Sequence, residues 1–184
     1  MVYSDDRKEL LEMKLEKAKY LIKKLMKEQK YKYDYINYID SQGLPVDITQ
    51  ADTLHYSFCE ISYINELQLS ITFKTNHFEV LIFPDPILID IENKDSAIFL
   101  INYINNYIKI GRFYIDTKSF DIVWRGNNIS YEILEAFPNE IIEESIISGI
   151  SYFIDISYSL SKLIKGEFNI KEACGYIDAV WDII

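Results

Sequence analysis

Two histidines and two cysteines are the whole supply of imidazoles and thiols in these 184 residues, so a His/Cys metal site or a Cys–His nucleophile must be built from them. His55, Cys59 and His77 would meet on one sheet face only if the strands carrying them were neighbours, since residues four apart on a strand share a face. Their spacing matches no zinc signature and offers no fourth ligand. A Cys–His hydrolase would need Cys59 or Cys174 beside His55 or His77 with a third group to orient the pair, and no local motif supplies one. "PDPILIDIENKD" concentrates Asp85, Asp90, Glu92 and Asp95 but lacks the glycine and alternating oxygen ligands of a calcium loop, so it reads as a solvated acidic turn. Glu79, Asp116 and Asp121 are the candidates for paired carboxylates, yet nothing in their spacing ties them to one cleft. Gly111 and Gly126 stand alone, without a phosphate-cradling glycine run. The expectation is a protein with no catalytic residue, no metal ligand and no cofactor.

What remains for recognition is aromatic. Tyr103, Tyr107, Tyr114 and Trp124 fall around one hairpin, where aromatic walls with hydroxyls suit a ligand or a partner segment. Ile177 and Trp181 lie on the apolar face of the last helix, which either packs on its own domain or is offered to a partner; packing on its own domain is the expected use.

The elements that would position these residues follow from patterning. From 4 to 30 the spacing predicts a helix, with Ser4 or Asp6 able to accept from its first amides and Leu11, Leu15, Ala18, Ile22 and Leu25 on one stripe. Its lysines are interleaved with Glu9, Glu12 and Glu16, which favours a docked helix with a solvated face over a membrane-surface helix. Helix is expected to resume through "YDYINYIDSQG" and to end at Gly43 and Pro45. Residues 54 to 63 are expected to be extended. "LQLSITFK" alternates cleanly and predicts an antiparallel strand with one wet face; after the turn "TNH", a second alternating run continues to Pro84. Residues 87 to 91 read as a short extension.

Asp95 or Ser96 should open a helix whose stripe is Ala97, Leu100, Ile101, Ile104 and Ile108, with Gly111 at its exit. "RFYID" and "FDIVW" flank "TKS" and predict a hairpin with Phe113 and Ile115 facing Phe120, Ile122 and Trp124. "RGNNISYEILEA" either continues that strand past a bulge at Gly126 or turns there into another element; continuation through Ile129, Tyr131 and Ile133 is favoured. Pro138 suits the first turn of a helix running to about Lys165, nearly encircled by apolar side chains. Gly166 ends it. Asn169 and Glu172 then have the spacing of a capping box for a last helix.

The chain carries a net charge of −10, unevenly spread. Residues 1–32 hold 10 Lys+Arg against 6 Asp+Glu, a net of +4, whereas residues 33–184 hold 9 against 23, a net of −14. So acidic a body is a poor partner for nucleic acid, whose phosphates need a cationic face. The start "MVYSDDRKELLEMK" lacks the apolar core of a signal peptide, and no run approaches ~20 apolar residues, so a soluble, cytoplasmic protein without membrane partners is expected.

From about Leu67 to Gly166 the sequence resembles the YbjN-domain family, whose fold is similar to that of type III secretion chaperones. The resemblance is carried by "AIFLINYINNYIKIGRFYIDTKSFDIVWRGNNI", a helix with an Asn-rich end followed by a G-x-F-x-I-D strand and a second strand, and by "FPNEIIEESIISGISYFIDISYSLSKLIKG", which looks like the family's closing helix. The hairpin departs from the family's usual acidic-Gly turn, and the two terminal helices lie outside the match. The resemblance implies an α+β protein-binding fold, often dimeric, in bacteria, with no enzymatic residues to carry over.

The fold class expected is therefore α+β: an antiparallel sheet of about five strands with helices on one face, in the order helix, three strands, helix, two-stranded hairpin, helix, plus a C-terminal helix. One domain spans 1–184, with an N-terminal helical segment at 1–45, the core at 54–166 and the C-terminal helix at 169–184. The functional expectation is a non-enzymatic protein-binding module, chaperone-like or regulatory, forming a homodimer because the helix beyond Pro138 has more apolar surface than one sheet face covers. The alternative is a small-molecule sensor or uncatalogued enzyme, with a pocket between the sheet and the helix near Pro138.

Overall fold

The computed structural model describes residues 5–28, 34–37, 52–61, 63–84, 89, 91–116 and 120–183. The alternating runs become a sheet. Strands β1 (Asp34–Asn37), β2 (Asp52–Ile61), β3 (Ile64–Phe73), β4 (His77–Pro84), β5 (Arg112–Ile115) and β6 (Ile122–Arg125) lie in the order β1-β2-β3-β4-β6-β5, all pairings antiparallel, and β7 (Ile129–Ser130) pairs with β4 beyond the end of β6. The alternation of β3 and β4 puts Leu67, Leu69, Ile71, Phe78, Val80 and Ile82 in the core, while Gln68, Thr72, Glu79 and Leu81 stay half-exposed on the opposite face. The sheet therefore has one buried and one wetter face, as its period of two requires.

Helices cover the buried face. In α1 (Asp5–Glu28), Leu15, Ala18, Ile22 and Met26 are buried with the sheet residues in one cluster, and burying Ile22 and Met26 contributes about 1.5–3 kcal/mol each. Lys14 and Lys17 pair with Glu132 and Glu135 of α3 (Tyr131–Ala136), which orients the helix but adds only about 0–1 kcal/mol per exposed pair. A 3₁₀ turn, Ile91–Asn93, leads into α2 (Lys94–Asn105), which buries the expected Ala97, Leu100, Ile101 and Ile104. The long helix begins with Pro138 in the first turn of α4 (Pro138–Ile142), passes through a π-helical turn (Glu143–Ile147) and continues as α5 (Ser148–Ile164). α6 (Ile170–Trp181) starts at the capping box, with both reciprocal Asn169–Glu172 bonds formed.

One packing feature organises the centre. Trp124 is fully buried, and the backbones of Gly111, Gly126 and Gly149 close around its ring: a Cβ would lie 2.4 Å from the indole at Gly111, 3.1 Å at Gly126 and 2.6 Å at Gly149. Gly111 also has φ +68, so the turn out of α2 and the approach to Trp124 both require glycine.

The structure corrects several expectations. Helix does not resume at 34–37; those residues form β1, because pairing with Asp52–His55 of β2 outweighs a weak local pattern, so the 1–45 segment is not wholly helical. The remainder of that expected helix, 38–43, lies outside the described residues, as do most of the extension expected at 87–91 and the "TKS" turn. The strand past Gly126 does continue along β4, with the Gly126 N–H donating to the Val80 carbonyl at 2.9 Å, but it ends at Ser130. Ser130 caps α3 by accepting from the Ile133 N–H, so Tyr131 and Ile133 are helical rather than alternating. α2 begins one residue before Asp95, at Lys94. Most of the apolar girdle of the 138–164 helix is covered within the chain by the sheet, α2 and α6, with Ile154 left exposed.

Candidate functional site

A cleft of about 240 Å³ opens between α2 and β5. Lys94, Ile98, Ile101 and Asn102 of α2 form one wall, Phe113, Tyr114 and Ile115 of β5 the other, and Phe120 stands at one end. Its floor is apolar because Ile98, which is 37% exposed, continues the buried stripe of α2 toward Phe113 and Ile115, which share one face of β5, while Tyr114 between them alternates to the face bearing Glu79 and Arg125. Burial raises the Tyr114 hydroxyl pKa above its ordinary value. The Lys94 ammonium lies 4.8 Å from the centre of the Phe120 ring, and among the described residues it makes no ion pair. At the other end the Asn105 side chain closes the gap, donating to the Phe113 carbonyl and accepting the Phe113 N–H, both at 2.8 Å.

The structure distributes the residues expected to recognise a ligand. Tyr114 borders the cleft along β5 with its side chain on the face of Glu79 and Arg125. The Tyr103 and Tyr107 rings lie 5.2 Å apart and tilted on the opposite flank of α2, where the Tyr103 hydroxyl donates to the Asp178 carboxylate of α6; that bond, next to a like-charged partner should it ionise, raises the Tyr103 pKa. Trp124 is core, its Nε1–H buried with no partner among the described residues. Ile177 is fully buried, and Trp181 is half-buried against Tyr152 with its Nε1–H donating to Asp155 at 2.9 Å. Four of the six thus hold the helical layer and the sheet together with the core, leaving Tyr114 and the exposed Tyr107 at the surface. The cleft lies at the hairpin and α2 rather than beside Pro138.

Among the candidates for chemistry, the two histidines stay apart. His55 pairs across β3 with Ser70, which faces Leu81 of β4, so His77, four residues further along β4, is roughly 16 Å from His55. Glu79 meets Arg125 at 3.2 Å, and Asp116 and Asp121 face each other at the far end of the hairpin. Cys174 is a free, half-buried thiol whose pKa burial raises, the opposite of an activated nucleophile. Among the described residues no three His, Cys, Asp or Glu side chains converge as metal ligands, and no helix is long and apolar enough to cross a membrane. Lys94, Ile98, Asn102 and Phe120 were not singled out by their residue types; an exposed apolar residue beside a buried stripe is their only sequence signal.

No protein-family model, curated protein or solved structure matches the chain. The likeness to the YbjN-domain pattern therefore rests on the residues quoted for it.

Proposed function

We propose that the chain is a non-enzymatic protein-binding module, chaperone-like or regulatory, of a bacterial cytoplasm, which holds a segment of a partner protein in the cleft between α2 and β5. The observation that carries this reading is an apolar cleft at the outermost strand of the sheet, lined by no nucleophile and no carboxylate among the described residues. Such a lining offers binding area without a group to move a proton or attack a bond. The YbjN-type resemblance supports the same reading.

A photoreactive benzophenone side chain at position 102, on the α2 wall of the cleft, introduced in cells, tests it. One discrete protein adduct should form there, vanish with Ile98→Asp, and be absent when the probe sits at Val180 on the exposed side of α6. Equal adducts from both positions, or none from 102, would count against the reading. A small-molecule sensor remains the second reading, favoured by the aromatic lining, although about 240 Å³ falls below the usual ~300–1,000 Å³ of ligand pockets. A homodimer is proposed as the assembly, supported by exposed Leu10, Met13 and Tyr20 of α1, Ile133 of α3 and Phe137 between α3 and α4.

A further inference from the structure

β5 is the last strand in the sheet order, so one side of its main chain faces away from β6. The ladder fixes which groups face outward. Asp116 N–H donates to the Asp121 carbonyl at 2.8 Å, and antiparallel pairs alternate between bonded and non-bonded. Tyr114–Val123 is then the next bonded pair, and Phe113 and Ile115 direct their N–H and C=O groups off the sheet edge. Phe113 is already satisfied: the two bonds from the Asn105 side-chain amide are those a neighbouring strand residue would make. Asn105 thus takes the part of one residue of a neighbouring strand, and among the described residues no strand lies on that side. Ile115 is the next outward residue, and it lines the cleft.

We propose that this edge and cleft together take an extended acidic–apolar peptide segment, which pairs with the main chain of Ile115, sets one apolar side chain between Ile98, Ile101, Phe113 and Phe120, and brings a carboxylate to Lys94. The inference rests on the protein-binding reading above and names the partner's chemistry. Size decides between modes of docking: about 240 Å³ equals the liquid volume of roughly eight waters, enough for one large side chain. An amphipathic helix, which anchors through several residues over two turns, needs a longer groove. Charge decides the flanking residue. Lys94 is the one charged residue of the lining among the described residues, and its ammonium rests on the Phe120 ring instead of a carboxylate. A partner carboxylate there meets a cation on a chain of net charge −10 that otherwise repels acidic segments. With two main-chain bonds, one anchor and one exposed ion pair, affinity on the order of 10–100 μM is expected.

The test is an array of random acetylated and amidated octapeptides, probed with the full chain and with Lys94→Glu, followed by ¹⁵N NMR of the chain with the best peptide. The full chain should select Asp or Glu close to a branched or aromatic apolar residue. Lys94→Glu should switch the preference to Lys or Arg and weaken the best acidic peptide about fivefold. The Ile115 amide should shift and gain protection from exchange, with its neighbours in the cleft. Lys94 is partly exposed at a helix start, and unchanged spectral dispersion of the variant confirms that it folds. Selection without an acidic preference, or one unaltered by Lys94→Glu, would overturn the proposal. Amide shifts confined to another surface would overturn it while leaving protein binding in place. A blank array, with 4-phenylbutyrate moving the cleft amides instead, would replace the peptide by a small carboxylate and remove the protein-binding reading as well.

Discussion

Gly149 and Gly175 both lie inside helices, and the same substitution to alanine should move stability in opposite directions. At Gly175 an added Cβ meets nothing within 4 Å, so only helix propensity acts, and Gly175→Ala should stabilise by about 0.5–1 kcal/mol. At Gly149 the Cβ would lie 2.6 Å from two carbons of the Trp124 ring and 2.7 Å from Ile82 Cδ1. Carbon pairs prefer ~3.5–4.0 Å, so the overlap is about 1 Å against a ring that cannot retreat, because Gly111 and Gly126 already press on its other edges. Overpacking of this kind costs about 1–3 kcal/mol, and a rigid indole places it at the top of that range; after the propensity gain a net loss of about 2 kcal/mol remains. With a urea dependence of about 2 kcal/mol per M, the midpoint should fall by about 1 M for Gly149→Ala and rise by about 0.3–0.5 M for Gly175→Ala. A rise for Gly149→Ala equal to that for Gly175→Ala would show that the indole does not occupy this glycine-walled slot.

Trp181→Ala removes the Tyr152 ring contact and the bond to Asp155, and should lower stability by about 2–4 kcal/mol while adduct formation from position 102 persists; an unchanged denaturation midpoint would mean that α6 is not an integral cap. Tyr103 is held protonated above its ordinary pKa of 10, so as pH rises past 10 the unfolded chain releases that proton first and stability falls. The melting temperature of the native chain should therefore drop more steeply above pH 10 than that of Tyr103→Phe, and identical slopes would contradict the Tyr103–Asp178 tie between α2 and α6. Sedimentation at micromolar concentration should give a particle of twice the 21.7 kDa chain mass; a 21.7 kDa particle throughout would exclude the homodimer.

Elements whose local chemistry agrees with their tertiary setting were legible from sequence. β3 alternates because one of its faces is wet, and α6 declares its start through Asn169 and Glu172, which form both bonds of the capping box. β1 was read as helix because Tyr35, Ile36 and Ile39 fit a helical face as well as a strand, and pairing with β2, 18 residues on, decided the matter. The strand past Gly126 stopped early for a local reason, since Ser130 both ends β7 and caps α3. Trp124 and Trp181 look alike as aromatic binding candidates until tertiary packing separates them: Gly126 just past its own strand, Gly111 at the exit of α2 and Gly149 of α5 close on the first, and Asp155 and Tyr152 hold the second half-exposed. The cleft was illegible because its apolar side chains come from a helix and a hairpin whose patterns each read as ordinary core.

Hydrogen–deuterium exchange of the chain, alone and bound to the partner captured through position 102, addresses the binding role most directly. Protection gained in α2 from Lys94 to Asn102 and in β5 from Arg112 to Ile115, with little change in α1 and α6, is the expected result. Protection confined to α1, α6 or the face of the sheet bearing Glu79 and Arg125, with α2 and β5 unaltered, would contradict it.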